Sequence, residues 1–192
     1  MAKAFKSGAR GITGTLHASE RKLLRELFGD VITVLEERAA VHELPGDIDP
    51  LYALTGMRPK SADLPEPSDA AVKRLLPDAS EDKAVAAEFR RLTEADLIAE
   101  KTSLLREAQL LLETEKLVLQ IPAAQRFARA LNDVRLVLAE RLDIRDEADS
   151  ERIAQLVDAA AVQSPQEYLG LVYNLVSWVQ DTLMQALMNA ER

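Results

Sequence analysis

The 192-residue chain contains no cysteine. That excludes a thiol nucleophile, a thiol redox switch and any thiolate metal site, and it fits a reducing compartment. Aromatic residues supply only 4% of the sequence, so the core has to be built from Leu, Ala and Val. A chain of this length can bury roughly 70% of its unfolded surface, enough for one domain. There are only two histidines, His17 and His42. Neither has a second histidine within helical reach, so no metal role is expected. Gly8, Gly11 and Gly14 fall close together, but no Gly-Lys-Ser/Thr follows them, and a phosphate loop is not expected. No serine stands in a Gly-x-Ser-x-Gly elbow. The acidic run Asp143, Asp146, Glu147, Asp149, Glu151 lacks the alternating ligands and central glycine of a calcium loop and reads as a solvated turn. No cofactor and no enzymatic activity are implied.

Long apolar runs are missing too. The most apolar stretch, Tyr168 to Met188, is interrupted by Asn174, Gln180 and Asp181. It reads as a buried helix and not as a membrane span. Met1 to Lys6 has no apolar run behind it, so a secretory signal is not expected and the cytoplasm is the expected location. Positive charge is in deficit, with a net charge of -8 and a pI near 4.9. Phosphate neutralisation supplies most of the affinity of a DNA-reading domain, so direct nucleic-acid binding is not the first expectation. The local exception is the first segment, where Lys3, Lys6, Arg10, Arg21, Lys22 and Arg25 cluster. It reads foremost as a solvated tail and helix face, with a nucleic-acid contact as the alternative.

What the chain does have is helical periodicity. Gly11 to Leu16 is short, β-branched and glycine-rich, and predicts a strand. Leu24, Leu27, Phe28, Val31, Val34 and Leu35 then recur at three- and four-residue steps, predicting a helix from about Ser19 to Glu43. Gly29 inside it marks a bend or a close backbone approach. Residues 44–79 form a proline-rich linker, with short helices over Pro50 to Leu54 and Ser68 to Leu76. Ser80 reads as the N-cap of the longest helix. Its expected seam is Val85, Phe89, Leu92, Ala95, Ala99, Thr102, Leu105 and Leu112, with a second stripe of Leu97, Leu104, Ala108 and Leu111.

Lys116 to Ile121 predicts a second strand, and Pro122 opens the next helix. That helix carries the stripe Phe127, Leu131, Val134, Leu138 and Leu142. A weaker helix follows from Ser150 to Val162. The last begins at Ser164-Pro165-Gln166-Glu167, an N-cap, a first-turn proline and the acid of a capping box.

A shift of 103 residues (133 − 30) superposes two of these units, about 11–43 and 116–143. Leu16 meets Leu119, Leu24 meets Phe127, and Asp30-Val31 meets Asp133-Val134. Val34-Leu35 meets Val137-Leu138, and Glu37-Arg38 meets Glu140-Arg141. A lone strand leaves backbone groups unpaired, so the two strands are expected to pair with each other. The predicted fold is a mainly α, single-domain bundle over 1–192. It has a long central helix, a two-stranded ribbon and an approximate internal two-fold repeat.

Two features stand out as candidate binding positions. Arg90 and Arg91 on the long helix, and Asn132, Asp133 and Arg135 on the later one, could form a guanidinium–carboxylate pair that sets helix register. The last helix is apolar around most of its circumference and carries Trp178. It serves either as core alone or as half core and half surface for a homodimer or partner.

Several segments together resemble one family. They are Leu54-Thr55-Gly56, Arg74-Leu75-Leu76-Pro77-Asp78-Ala79 and Ala87-Glu88-Phe89-Arg90-Arg91-Leu92-Thr93-Glu94. Leu131-Asn132-Asp133-Val134-Arg135-Leu136, Tyr168 and Trp178-Val179-Gln180 complete the set. In this order they are similar to an actinobacterial family first catalogued as a domain of unknown function and now called the AosR-like oxidative stress regulators. The resemblance implies a cytoplasmic, non-enzymatic regulator that contacts an alternative sigma factor, often encoded near the Clp proteolysis system. The cysteine pair that the family's sensing proposal invokes has no counterpart here. A protein partner is therefore the expectation, and an adaptor for Clp proteolysis or a DNA-binding regulator is the alternative.

Overall fold

Alternating inward and outward residues build a small antiparallel sheet at one end of the molecule. The structure is a computed structural model that describes residues 3–42, 64–156 and 163–190. Strand β1 (Lys3–Gly8) turns through Ala9 and Arg10 into β2 (Gly11–Thr15), and β2 pairs with β3 (Lys116–Leu119) in the order β1-β2-β3. The expected pairing of the two glycine- and valine-bearing strands is present. The addition is β1, because the segment expected to be a basic tail is a strand.

Two glycines make that sheet possible. Gly11 has φ +103, and a Cβ there would stand 2.5 Å from the Leu119 carbonyl oxygen. At Gly14 a Cβ would fall 2.6 Å from the Phe5 ring, so the absent side chain is the seat of that ring. Phe5 in turn contacts Phe127 with ring centroids 6.4 Å apart, and Phe127 meets Phe28 edge-on at 6.2 Å. Three of the four phenylalanines are thus gathered at one point, where sheet and helices join.

Six helices are described: α1 (Ala18–Ala40), α2 (Ala70–Leu75), α3 (Lys83–Leu111), α4 (Ile121–Arg141), α5 (Glu147–Ala154) and α6 (Pro165–Ala190). The predicted end of α1 near Glu43, the short helix Pro50 to Leu54 and the last residues of the Ser150–Val162 helix lie outside the described residues. The backbone N–H of His17, the N-cap of α1, donates to Glu20 across 2.8 Å. The N-cap of α3 is Asp82, whose carboxylate accepts from Ala84 and Val85. Ser80, expected in that role, instead accepts from the Asp82 N–H. Asp146 caps α5, which therefore starts before the expected Ser150. Ser164 accepts from the Glu167 N–H as predicted, while the Glu167 side chain accepts from Gln163 N–H, one residue earlier than a standard capping box would have it.

Helix α3 runs antiparallel to both α1 and α4 and packs between them. Arg21 near the start of α1 donates to the carbonyls of Leu112 and Glu113 at the end of α3, and Arg38 near the end of α1 reaches Glu94. At Gly29 a Cβ would meet only the side-chain amide of Gln109 on α3, at an ordinary 3.4 Å, so the expected close backbone approach is not present there. On the other flank Arg126 pairs with Glu107, and Lys101 with Asp133.

The apolar positions matched by the 103-residue shift share their burial. Leu16 and Leu119, Leu24 and Phe127, Phe28 and Leu131, Val31 and Val134, and Leu35 and Leu138 all lie in the core. Gly14 pairs across the sheet with Leu117, its own counterpart under the shift. The charged matches part company: Asp30 is exposed where Asp133 is buried, and Arg38 is buried where Arg141 lies on the surface.

Helix α6 packs on α4 and on the sheet, chiefly on β1. Val172, Val176, Val179 and Leu183 are sealed in the core. A satellite cluster of Leu142, Ile144 and Ile153 fills the corner beneath α5. One sequence expectation is overturned. Val85, Phe89 and Leu92, assigned to the seam of α3, are more than half exposed at 54%, 51% and 60%. Ala95 and Ala99 are exposed with them. In this part of the helix the buried face runs instead through Ala86, Glu94 and Ile98, while Thr102, Leu105 and Leu112 of the predicted seam are buried as expected and the second predicted stripe is buried or partly so.

Candidate functional site

Two sealed carboxylates organise the polar chemistry of the long helix. Glu94 is 4% exposed and sits among three cationic or imidazole partners. Arg38 Nε donates to Glu94 Oε1 at 2.5 Å, His42 Nε2 lies 2.8 Å from the same oxygen, and Arg90 Nε is 3.7 Å from Oε2. Arg38 also donates to the Pro65 carbonyl, and Arg90 to Asp78. Burial alone would raise the Glu94 carboxyl. The hydrogen bonds from His42 and Arg38, with the Arg38 charge, outweigh it and hold the group below the ordinary value. Each side chain of this cluster holds a neighbour, and between them they join α1, α3 and the segment before α2.

The second carboxylate lies in a different setting. Asp133 on α4 is also 4% exposed, and its one ion-pair partner among the described residues is Lys101 Nζ at 2.7 Å. Here burial prevails over Lys101 and lifts the carboxyl above the ordinary aspartate value. Above the pair opens a cleft of about 490 Å³ between α3, α4 and α6. Leu104, Ala128 and Leu187 are its buried apolar lining, and Met184 and Met188 stand exposed at 41% and 56%. Gln180 closes one side, donating to the Ala128 carbonyl and accepting from Arg135 at 2.8 Å. The Arg135 guanidinium lies 5.9 Å from the Tyr173 ring centroid. An apolar cleft with a few convergent polar groups and a displaced carboxyl is the usual form of a binding site.

Of the six candidate residues, Asn132 and Asp133 line the cleft and Arg135 positions its Gln180 wall. Arg90 and Arg91 are elsewhere, since Arg90 serves Glu94 and Asp78, and Arg91 pairs with Glu88. The expected guanidinium–carboxylate pair between the Arg90-Arg91 group and the Asp133 group fails on geometry. In the antiparallel packing Lys101 stands level with Asp133, and Arg90 is eleven residues away, about 16 Å along the helix. Trp178 is 38% exposed and lies on α6 outside the cleft lining. Lys101 and Met184 carry no signal in the sequence, and Met188 shows only as the end of the apolar stretch. Gln180 did leave a trace there, as a polar break in an apolar helix.

The basic first segment divides. Arg21 is consumed at the end of α3. Lys3 and Lys6 project from β1 onto the outer face of the sheet, and the cross-strand register places Lys116 beyond Thr15 in the row that begins at Lys3.

The family described as a domain of unknown function, DUF2017, matches residues 2–187, and the chain belongs to that family. No curated protein and no solved structure matches the chain. No described helix is long and apolar enough to cross a membrane.

Proposed function

We propose that this DUF2017 member is a cytoplasmic, non-enzymatic regulatory protein of the AosR-like, actinobacterial type, acting by contact with a protein partner, foremost an alternative sigma factor. The observation that carries the reading is the cleft between α3, α4 and α6. Its apolar lining, exposed Met184 and Met188, and buried Asp133–Lys101 pair suit an amphipathic partner helix. Flexible thioethers adapt to such a partner at low cost. The resemblance of the ordered segments to oxidative stress regulators supplies the kind of partner. A chain without cysteine cannot sense an oxidant through a thiol, so sensing falls to another component of the pathway.

Affinity purification from the native host, under reducing and oxidising conditions, tests this. The expected result is recovery of a sigma factor, lost when Met184→Glu places a charge in the cleft. Recovery of a Clp component instead would turn the reading toward a proteolytic adaptor. Recovery of neither would overturn it.

A second reading, DNA binding, is favoured by the row of Lys3, Thr15 and Lys116 beside Lys6 on the open sheet face. It predicts salt-sensitive binding to duplex DNA that disappears when Lys3, Lys6 and Lys116 become Ala. Flat binding curves at low salt would end it.

A further inference from the structure

The side of α3 turned away from the cleft carries a groove of about 590 Å³ against α1, lined by Ala39, Ala95, Ile98, Ala99, Thr102 and Leu110 among others. The exposed residues on this side of α3, of which Ala99, Ser103, Arg106 and Leu110 line the groove, follow a mirrored order. Leu92, Asp96 and Ala99 stand nine, five and two positions before Lys101, and Leu110, Arg106 and Ser103 stand nine, five and two after it. Leu92 and Leu110 are 60% and 65% exposed, and Asp96, Ala99, Ser103 and Arg106 are exposed between them. We propose that this face binds a second copy of the chain, with the two α3 helices packed antiparallel about a two-fold axis at the level of residue 101.

A two-fold interface requires that residue i of one copy meet residue j of the other, and j meet i. The mirrored order satisfies that condition in shape and in charge. Leu92 comes level with Leu110 of the second copy, Ala99 with Ser103, and Asp96 with Arg106. The small residues at the centre let two backbones approach closely, and the leucines close the ends of a contact about 27 Å long. Asp96 makes no ion pair among the described residues, while Arg106 reaches Glu36 across the groove wall.

Sedimentation equilibrium of the purified full chain tests the proposal, with circular dichroism melting as the check on folding. The parent is expected to show twice the monomer mass. Asp96→Arg alone and Arg106→Asp alone should each revert to monomer, because each creates a like-charge pair at both ends of the contact. The double exchange Asp96→Arg with Arg106→Asp should restore the dimer. Because the chain lacks cysteine, mixing Ala99→Cys with Ser103→Cys protein gives a second readout, a disulfide joining the two species under mild oxidation. A monomeric parent, a double exchange that stays monomeric, or a cross-link no faster than one from an exposed Val118→Cys control would each overturn the assignment.

Discussion

Glu94 and Asp133 are equally sealed from solvent at 4% exposure, yet their carboxyls are displaced in opposite directions. The difference is the company each keeps. Glu94 meets Arg38, His42 and Arg90, whereas Asp133 sets against its burial chiefly Lys101, with a smaller pull from the Arg129 charge. One carboxylate is therefore a fastening of the fold, and the other is a strain within it.

Replacing Glu94 with Gln should cost about 3–5 kcal/mol, because Arg38 and Arg90 keep their charge and lose their counter-ion. Its folded-state pKa lies below the unfolded value, so its stabilisation is complete above about pH 4.3 and is lost as pH falls through the folded value. Urea denaturation of parent and variant should show a large gap at neutral pH that narrows on acidification. A variant within 1 kcal/mol of the parent at neutral pH would contradict this account.

Asp133→Asn should behave in the opposite way. Its folded-state pKa is raised, so its favourable contribution is complete below about pH 3.9 and is lost as pH rises through the folded value. At neutral pH the variant should be at least as stable as the parent, and the parent should gain on it as the medium turns acid. Thermal melts across the pH range check the sign.

Phe5 and Gly14 should be strongly coupled. Phe5→Ala should cost about 3–5 kcal/mol by emptying its place against Phe127. Gly14→Ala should cost about 1–3 kcal/mol by forcing the ring aside. Once the ring is gone the added methyl has room, so the double variant should cost clearly less than the sum. Additive losses would mean that the ring does not rest on residue 14.

Arg21→Ala should release the last turn of α3. Two hydrogen bonds from a charged donor to the Leu112 and Glu113 carbonyls disappear, at a cost of about 1–3 kcal/mol. Hydrogen exchange should quicken first at the C-terminal end of α3, with the Glu94 level still protected.

Much of the fold was legible in the sequence because apolar spacing and local capping speak plainly. Pro122, Ser164 and the stripe of Phe127, Leu131, Val134 and Leu138 read correctly. The pairing of the Gly11 and Lys116 segments followed from the need to satisfy backbone groups. The first part of α3, up to Ala99, did not read correctly, although Thr102, Leu105 and Leu112 after it did. The buried side of that part contains Glu94 and its exposed side contains Val85, Leu92 and Ala99, so hydropathy pointed to the wrong side there. Strand β1 was hidden for the opposite reason: Lys3 and Lys6 face outward on a short strand and carry the signature of a tail. The cleft was half visible. Asn132 and Asp133 stood out as polar residues in an apolar helix, but the partner of Asp133 depended on how two helices slide past each other. No pattern within a single helix records that.

Helix α6 rests on β1, so the last described element completes the environment of the first. During synthesis β1 leaves the ribosome early and waits for nearly the whole chain before its cover emerges, roughly 10–30 s at ordinary elongation rates. In that interval Phe5 and Ile12 have no helix from the C-terminal end to shelter them. A message cut short before Pro165 would yield a product whose β1 lacks its helical cover.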